Sequence, residues 1–489
     1  MNSPKETEKQ PPSASSESSL SNSSSLLDSR QDPQKPPSQA SLQSSEANLN
    51  QPGKSSAISL KRLAIRGSAW VMFGFGIGQI LRLGGNIILT RFLSPEAFGI
   101  MGLASALLNG LGMFSDVGLR PNIIQSKRGE DPAFLCTAWT VQIIRGFILA
   151  LLAAALAWPL AFLNEEPRLI LIVTVAGLTS AISGFDSISL LVHSRHMFLG
   201  RLISLNLIGS AFGLIGMVTW AWYSPTVWAL VVGGFVGSTI KLVASHTILA
   251  GIPMRFRWEP EAVHELITFG RWIFISTALG FLVARLDIFI FGGVAGMSML
   301  GLYVLAKNFS LLIIQALRRL SSMVLLPVYS RLAERSPKVL RNKTFKVRAA
   351  LLAVSLPPLW ILILGGGHIV NFLYDERYYE AGWMLQILAA GATATAISVT
   401  IYPMLLALGD SFRHMLVSLT RITVQVLGMM IGGYIAGLPG FIVGIAITDF
   451  LSYPVMVYFI RPYGVWLPWL DAAAFGSSFF VIGVAWWIS

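Results

Sequence analysis

Thirteen apolar runs of roughly 20 residues each constrain this chain more than any other feature. A run of that length crosses the hydrocarbon core of a bilayer as an α-helix, and in lipid only a helix or a closed barrel satisfies its own backbone. The runs lie at 68–90, 98–118, 134–158, 169–191, 202–222, 227–249, 270–291, 301–324, 349–372, 383–407, 414–435, 440–460 and 468–488. With 54% hydrophobic and 12% charged residues over 489 positions, the composition excludes a soluble globular domain and predicts an all-α polytopic membrane protein.

Loop charge sets the orientation. Lys61, Arg62 and Arg66 precede the first run, and Arg120, Lys127 and Arg128 follow the second. Arg195 and Arg201, Arg255 and Arg257, the set Arg331, Arg335, Lys338, Arg341, Lys343, Lys346 and Arg348, then Arg413 and Arg461 mark the later loops on that side. The alternate loops carry only Arg91, Arg168 and Arg377. This asymmetry predicts a cytoplasmic N-terminus and, with an odd thirteenth span, an outer C-terminus. The net charge of +12 is therefore a topology signal, and nucleic acid is not an expected partner.

Residues 1–57 are rich in Ser, Pro and Gln and poor in large apolar side chains, so they read as a disordered cytoplasmic tail. Stretch 258–268 reads as an interfacial helix, and 328–348 as a basic connector facing anionic membrane lipids. Cys136 stands alone, which excludes an internal disulfide and a cysteine metal site. No Walker A loop appears, the Gly365-Gly366-Gly367-His368 run lies inside a span, and no side-chain set has metal-ligand spacing. The outer loops are too short for the catalytic domain of a membrane enzyme, so no enzyme activity and no cofactor are expected.

The first and seventh runs share an outer-half arginine, Arg82 against Arg285. After each comes a short loop, and Gly99-Ile100-Met101-Gly102-Leu103-Ala104 then aligns with Gly301-Leu302-Tyr303-Val304-Leu305-Ala306. Both halves begin on one side of the membrane, so the repeat is parallel, with six spans per lobe. The expected divisions are a tail at 1–57, an N-lobe at 58–257, a C-lobe at 258–461 and an extra span at 462–489.

Helical spacing places Gln79, Arg82 and Asn86 on one face of the first span. It also groups Gln142 with Arg145, Lys307 with Gln315 and Arg318, Arg421 with Gln425, and Asp449 with Tyr453. Arg318, Arg319 and Lys241 lie where they can snorkel to the interface. An ionised group deep in a span is costly and marks a functional site by default. Arg82, Arg285, Arg145, Lys307 and Arg421, with Gln79 and Asn86, are thus candidate ligands for an anion in a water-filled cavity. Guanidinium forks suit phosphate or pyrophosphate. Asp449 and Asp186 are candidate carboxylates for proton or sodium coupling.

Arg91-Phe92-Leu93-Ser94-Pro95-Glu96-Ala97-Phe98-Gly99 resembles the first outer loop of bacterial polysaccharide transporters, and Phe114-Ser115-Asp116-Val117-Gly118-Leu119 is similar to a second signature. Leu373-Tyr374-Asp375, Tyr379-Glu380-Ala381-Gly382 and Leu406-Ala407-Leu408-Gly409 extend the likeness over about residues 60–460. The chain resembles the Wzx-type oligosaccharide flippases of the multidrug/oligosaccharidyl-lipid/polysaccharide exporter superfamily. The resemblance implies two six-helix lobes in a V around a central cavity, in the bacterial inner membrane. It implies transport of undecaprenyl-pyrophosphate-linked oligosaccharide for lipopolysaccharide or exopolysaccharide synthesis, with polysaccharide polymerase and chain-length machinery as candidate partners. A multidrug or cation antiporter of the same superfamily is the alternative, although a basic cavity suits anions.

Overall fold

A computed structural model describes residues 54–488, apart from 116–118, 120–122, 124–125, 127, 196–198, 250–253, 333–336, 408–409 and 464–465; side chains are described from Trp70 onward except in short stretches, chiefly 267–279 and 330–340. Residues 1–53 of the expected tail and Asp116 lie outside the described residues, while 54–57, expected to belong to the tail, open α1. The described chain is helical, as lipid requires: α1 (Lys54–Phe92), α2 (Pro95–Phe114), α3 (Pro132–Leu163), α4 (Arg168–Gly184), α5 (Ser189–Arg195), α6 (Leu199–Tyr223), α7 (Trp228–Ile248), α8 (Pro260–Leu332), α9 (Pro337–Leu373), α10 (Ala381–Val399), α11 (Tyr402–Ala407), α12 (Ser411–Ala446), α13 (Thr448–Ile460) and α14 (Pro468–Ile488).

The helix starts follow local chemistry. Pro95 and Pro132 occupy first-turn positions, where a missing N–H costs nothing. Asp131 accepts from Ala133 N at 3.0 Å, and Asp410 from Arg413 N at 3.0 Å, capping α3 and α12.

Ten helices are long and apolar enough to cross a membrane, or eleven with the pair α4 and α5, which bends by 63°. Two of the ten double back. In α8 the chain turns at Gly296 (φ 76°, ψ 167°), and in α12 at Ala436 and Gly437 (φ 60°, ψ −139°). Both glycines hold conformations that side chains rarely adopt. Stacking of Phe291 on Tyr303, with ring centroids 4.6 Å apart, joins the two limbs of α8. With these turns the thirteen expected crossings are all accounted for among the described residues. The chain is a multi-pass, all-α membrane protein.

Three expectations need correction. The fourth span is not continuous, because its backbone breaks between Gly184 and Ser189, where Asp186 and Ser187 interrupt the apolar run. Stretch 258–268 forms no separate interfacial helix, since α8 runs through it from Pro260 and buries Ala262 and Leu266 against Phe134, Leu135 and Trp139 of α3. The basic connector is largely the ends of α8 and α9, and Arg348 is only 2% exposed. Its guanidinium donates to Asp471 Oδ1 of α14 at 2.6 Å and to Thr400 Oγ1 at 3.1 Å.

The two halves meet at one end of the bundle through a reciprocal contact. A Cβ on Gly99 would lie 1.8 Å from Met297 O, and a Cβ on Gly301 would lie 1.8 Å from Pro95 O. Pro95 and Met297 are themselves equivalent under the repeat, as are Gly102 and Val304, which also touch. Residue i meets j and j meets i, the signature of a two-fold axis between α2 and the second limb of α8. The same end is closed by Tyr378, whose hydroxyl donates to Leu93 O at 2.9 Å, and by Arg377, which donates to Thr90 O at 3.1 Å. This sealed end holds Arg91, Arg168 and Arg377; the opposite, basic end holds Arg128, Arg195 and Arg257.

Candidate functional site

Midway along the spans, α1, both limbs of α8, α12 and α13 bring charges together. Arg82 and Arg285 lie close enough for their charges to repel. Lys307 feels Arg285 on one side and Arg421 on the other, and Arg421 in turn lies near Arg318 and Tyr402. Four residues singled out from the sequence, Arg82, Arg285, Lys307 and Arg421, therefore share one chamber.

Their partners differ. Lys307 donates to Asp287 Oδ2, as does Tyr303, across the α8 turn. Asp287 is fully buried. Arg421 donates to Asp449 Oδ2 at 2.9 Å, with Nε 2.7 Å from Oδ1, and Thr395 donates to the same Oδ2. Among the described residues, Arg82, Arg285 and Arg318 have no carboxylate within salt-bridge distance and no side-chain hydrogen bond. Two carboxylates thus meet five cations, which leaves a net positive chamber.

Gln79 lies beside the chamber and spans the two halves, donating to Gln315 Oε1 at 3.1 Å. One turn further from the sealed end, Arg319 lies over the Phe75 ring at 4.4 Å. Arg319 therefore makes a cation–π contact between the halves in place of the expected snorkelling. Asn86 is half-buried on α1.

Arg145 and Asp186 do not join this chamber. They line a separate cleft of about 480 Å³ among α3 to α7. Arg145 donates to Ser115 Oγ at 3.0 Å and Gly112 O at 2.7 Å. Asp186 accepts from Lys241 at 2.7 Å, so Lys241 is an ion-pair partner and does not snorkel. Nor do Asp449 and Tyr453 act together: the Tyr453 hydroxyl donates to Asp471 Oδ2 at 2.7 Å.

Sequence reasoning set aside Arg318 and passed over Tyr402. A signal for Arg318 existed, since it shares a face with Lys307 and Gln315 at helical spacing. Nothing comparable marks Tyr402.

Fold and chamber together define a multi-pass, all-α membrane protein with a positive interior. A family profile described as polysaccharide biosynthesis protein matches residues 88–382, more than half of the chain. The protein belongs to that family. It is 20% identical over 415 residues, covering 82% of each chain, to the lipopolysaccharide biosynthesis protein WzxC of Escherichia coli (strain K12). It is 24% identical over 328 residues to the succinoglycan biosynthesis transport protein ExoT of Rhizobium meliloti (strain 1021), covering 66% of this chain and 65% of the relative. Among solved structures, lipid II flippase MurJ in an inward closed conformation superposes with a TM-score of 0.64 at 13% identity, over 86% of this chain and 92% of that one. An inward-facing multidrug resistance MATE family transporter of the MOP superfamily also gives 0.64, at 14% identity, over 79% and 94%. Both likenesses are likenesses of fold.

Proposed function

We propose that this protein is a flippase that carries a pyrophosphate-linked, lipid-anchored oligosaccharide across the bacterial inner membrane by alternating access. The observation that carries the reading is the set of three guanidiniums, Arg82, Arg285 and Arg318, held at mid-membrane depth without a carboxylate of their own. Arg82 and Arg318 are exposed and Arg285 is half-buried, so a ligand can reach them, and a pyrophosphate neutralises such guanidiniums with bidentate geometry. The curated relatives WzxC and ExoT, named for lipopolysaccharide and succinoglycan biosynthesis, support a saccharide cargo.

Loop charge assigns the basic end to the cytoplasm. The headgroup then loads from that side, where the Gln79–Gln315 hydrogen bond, the Phe75–Arg319 contact and the Arg128–Glu259 ion pair are among the contacts that have to part. The lipid tail stays in the bilayer, and parting of the α2–α8 contact at the sealed end exposes the headgroup outside. Asp449 shares Arg421 with the chamber, which makes it the carboxylate best sited for proton or sodium coupling. A cationic drug, the cargo of the antiporter alternative, would be repelled by the same chamber.

Headgroup translocation in proteoliposomes carrying an undecaprenyl-pyrophosphate oligosaccharide tests the reading. Arg82→Ala and Arg285→Ala each reduce transport by about tenfold or more, the loss of one charge-assisted contact. Unchanged transport in both variants would sink it.

A further inference from the structure

The broken fourth span opens a cleft that the pyrophosphate chamber does not use. Between Gly184 and Ser189 the backbone leaves the helix, and Gln142 Nε2 covers two freed carbonyls, Gly184 O at 3.0 Å and Asp186 O at 3.1 Å. Irregular backbone at membrane depth is tolerated where it is buried in protein or lines a polar cavity. This cleft, about 480 Å³, has the size of a small-molecule site and is rich in polar groups.

Its floor holds Asp186, whose side chain is 9% exposed. One carboxylate oxygen takes the Lys241 ammonium, and the other, Oδ1, is buried with no donor among the described residues. A buried acceptor of that kind is met by something the chain does not supply. Around it stand Arg145, held in place by Ser115 and Gly112, then Ser183 and Asn206. The Asn206 side chain is exposed and makes no hydrogen bond within the described residues. An acceptor oxygen surrounded by amide, hydroxyl and cationic donors matches a ligand dense in hydroxyl groups, each both donor and acceptor. It does not match a bare metal ion, because Lys241 already occupies the carboxylate, nor an apolar drug, because the lining is too polar.

We propose that this cleft is a saccharide subsite: the Asp186 carboxylate, turning so that its buried Oδ1 meets the cleft, accepts a sugar hydroxyl while Asn206, Lys241 and Arg145 bond the same ring. The proposal rests on the flippase reading and deepens it: the central chamber grips the pyrophosphate, and the cleft reads the glycan. Asp186 thereby becomes a binding residue, distinct from the coupling carboxylate.

The test is binding to the purified full-length protein of two lipids, undecaprenyl pyrophosphate and undecaprenyl-pyrophosphoryl glucose. The wild type should bind the glucosyl lipid at least about tenfold more tightly, the worth of a hydrogen bond to a charged group. Asp186→Asn should erase that difference and leave the affinity for undecaprenyl pyrophosphate unchanged. Asn206→Ala, at an exposed position with no packing role, should reduce the difference even if Asp186→Asn fails to fold. Arg285→Ala should weaken both lipids equally. Equal wild-type affinity for the two lipids, or an equal loss of both in the Asp186 and Asn206 variants, overturns the subsite while leaving the pyrophosphate reading intact. Absence of binding of either lipid to the wild type overturns the flippase reading, and the subsite with it.

Discussion

Lys307 and Arg82 look alike in the sequence, each a cation well inside an apolar run, yet they differ in what their loss would expose. Removing Lys307 leaves Asp287, fully buried, with only the Tyr303 hydroxyl on its occupied oxygen. Lys307→Met should therefore lower stability by about 3–5 kcal/mol, seen as an early thermal transition in detergent. Arg82→Ala removes a charge that repels Arg285 and should leave the transition unchanged or raised. If the two variants melt alike, the division of the chamber into paired and unpaired cations is wrong. The chamber itself was legible because a guanidinium in hydrocarbon has no cheap alternative. The Lys307–Asp287 pair was not, because its partners lie 20 residues apart and meet only when Gly296 reverses the chain. Arg348 was still harder to read. It closes a run of loop cations, and its carboxylate, Asp471, comes 123 residues later.

Among the elements, α14 has a defined structural task. Its Asp471 collects both Arg348 and Tyr453, and its Ser478 accepts from Trp360 Nε1 at 3.4 Å. Asp471→Asn, or termination before Pro468, should strand a buried guanidinium and destabilise the C-terminal half by about 3–5 kcal/mol. The double variant Arg348→Met/Asp471→Leu should recover most of that loss, because an apolar pair removes both charges. Failure of the double variant to outperform the single one would show that α14 acts by packing alone. At the basic end, Arg128 bridges Asp131, the cap of α3, and Glu259, just before α8, at 2.8 and 2.6 Å. Arg128 first, then the Ala133 N–H, holds the Asp131 carboxyl below the usual carboxylate range. A depressed value means that this contribution is complete above the ordinary 3.8 and is lost as pH falls below it through the folded value. Both side chains are about a third exposed, 34% and 35%, so solvent screens the pair and the effect is small. Glu259→Gln should shift the melting transition at low salt and not at 1 M, where the screening length is about 3 Å. Helix number and approximate limits followed from apolar length. The break in the fourth span escaped that logic because apolar residues continue on both sides of Asp186 and Ser187.

For the whole molecule, the repeat legible in Gly99 and Gly301 marks the reciprocal contact that seals one end between the halves. A side chain at either position would collide with the other half's backbone, so the sealed end is either seated or parted. Cysteines replacing Leu93 and Tyr378, with Cys136→Ser, should be joined by a short thiol-to-thiol linker. Transport should stop on linking and return when a cleavable linker is cut. Continued transport by fully linked protein would mean that the sealed end never opens. What sequence could not convey was which charges face inward, because that depends on how the two halves lean together.

The Arg348–Asp471 pair also has a consequence for how the protein is made. At about 5–20 residues per second, the ribosome supplies Asp471 some ten seconds after Arg348. Throughout that interval α9 holds a guanidinium whose buried site has no counter-charge. The C-terminal half therefore cannot settle until the last helix is inserted, and an interrupted chain carries its own mark of incompleteness for the cell's membrane proteases to read.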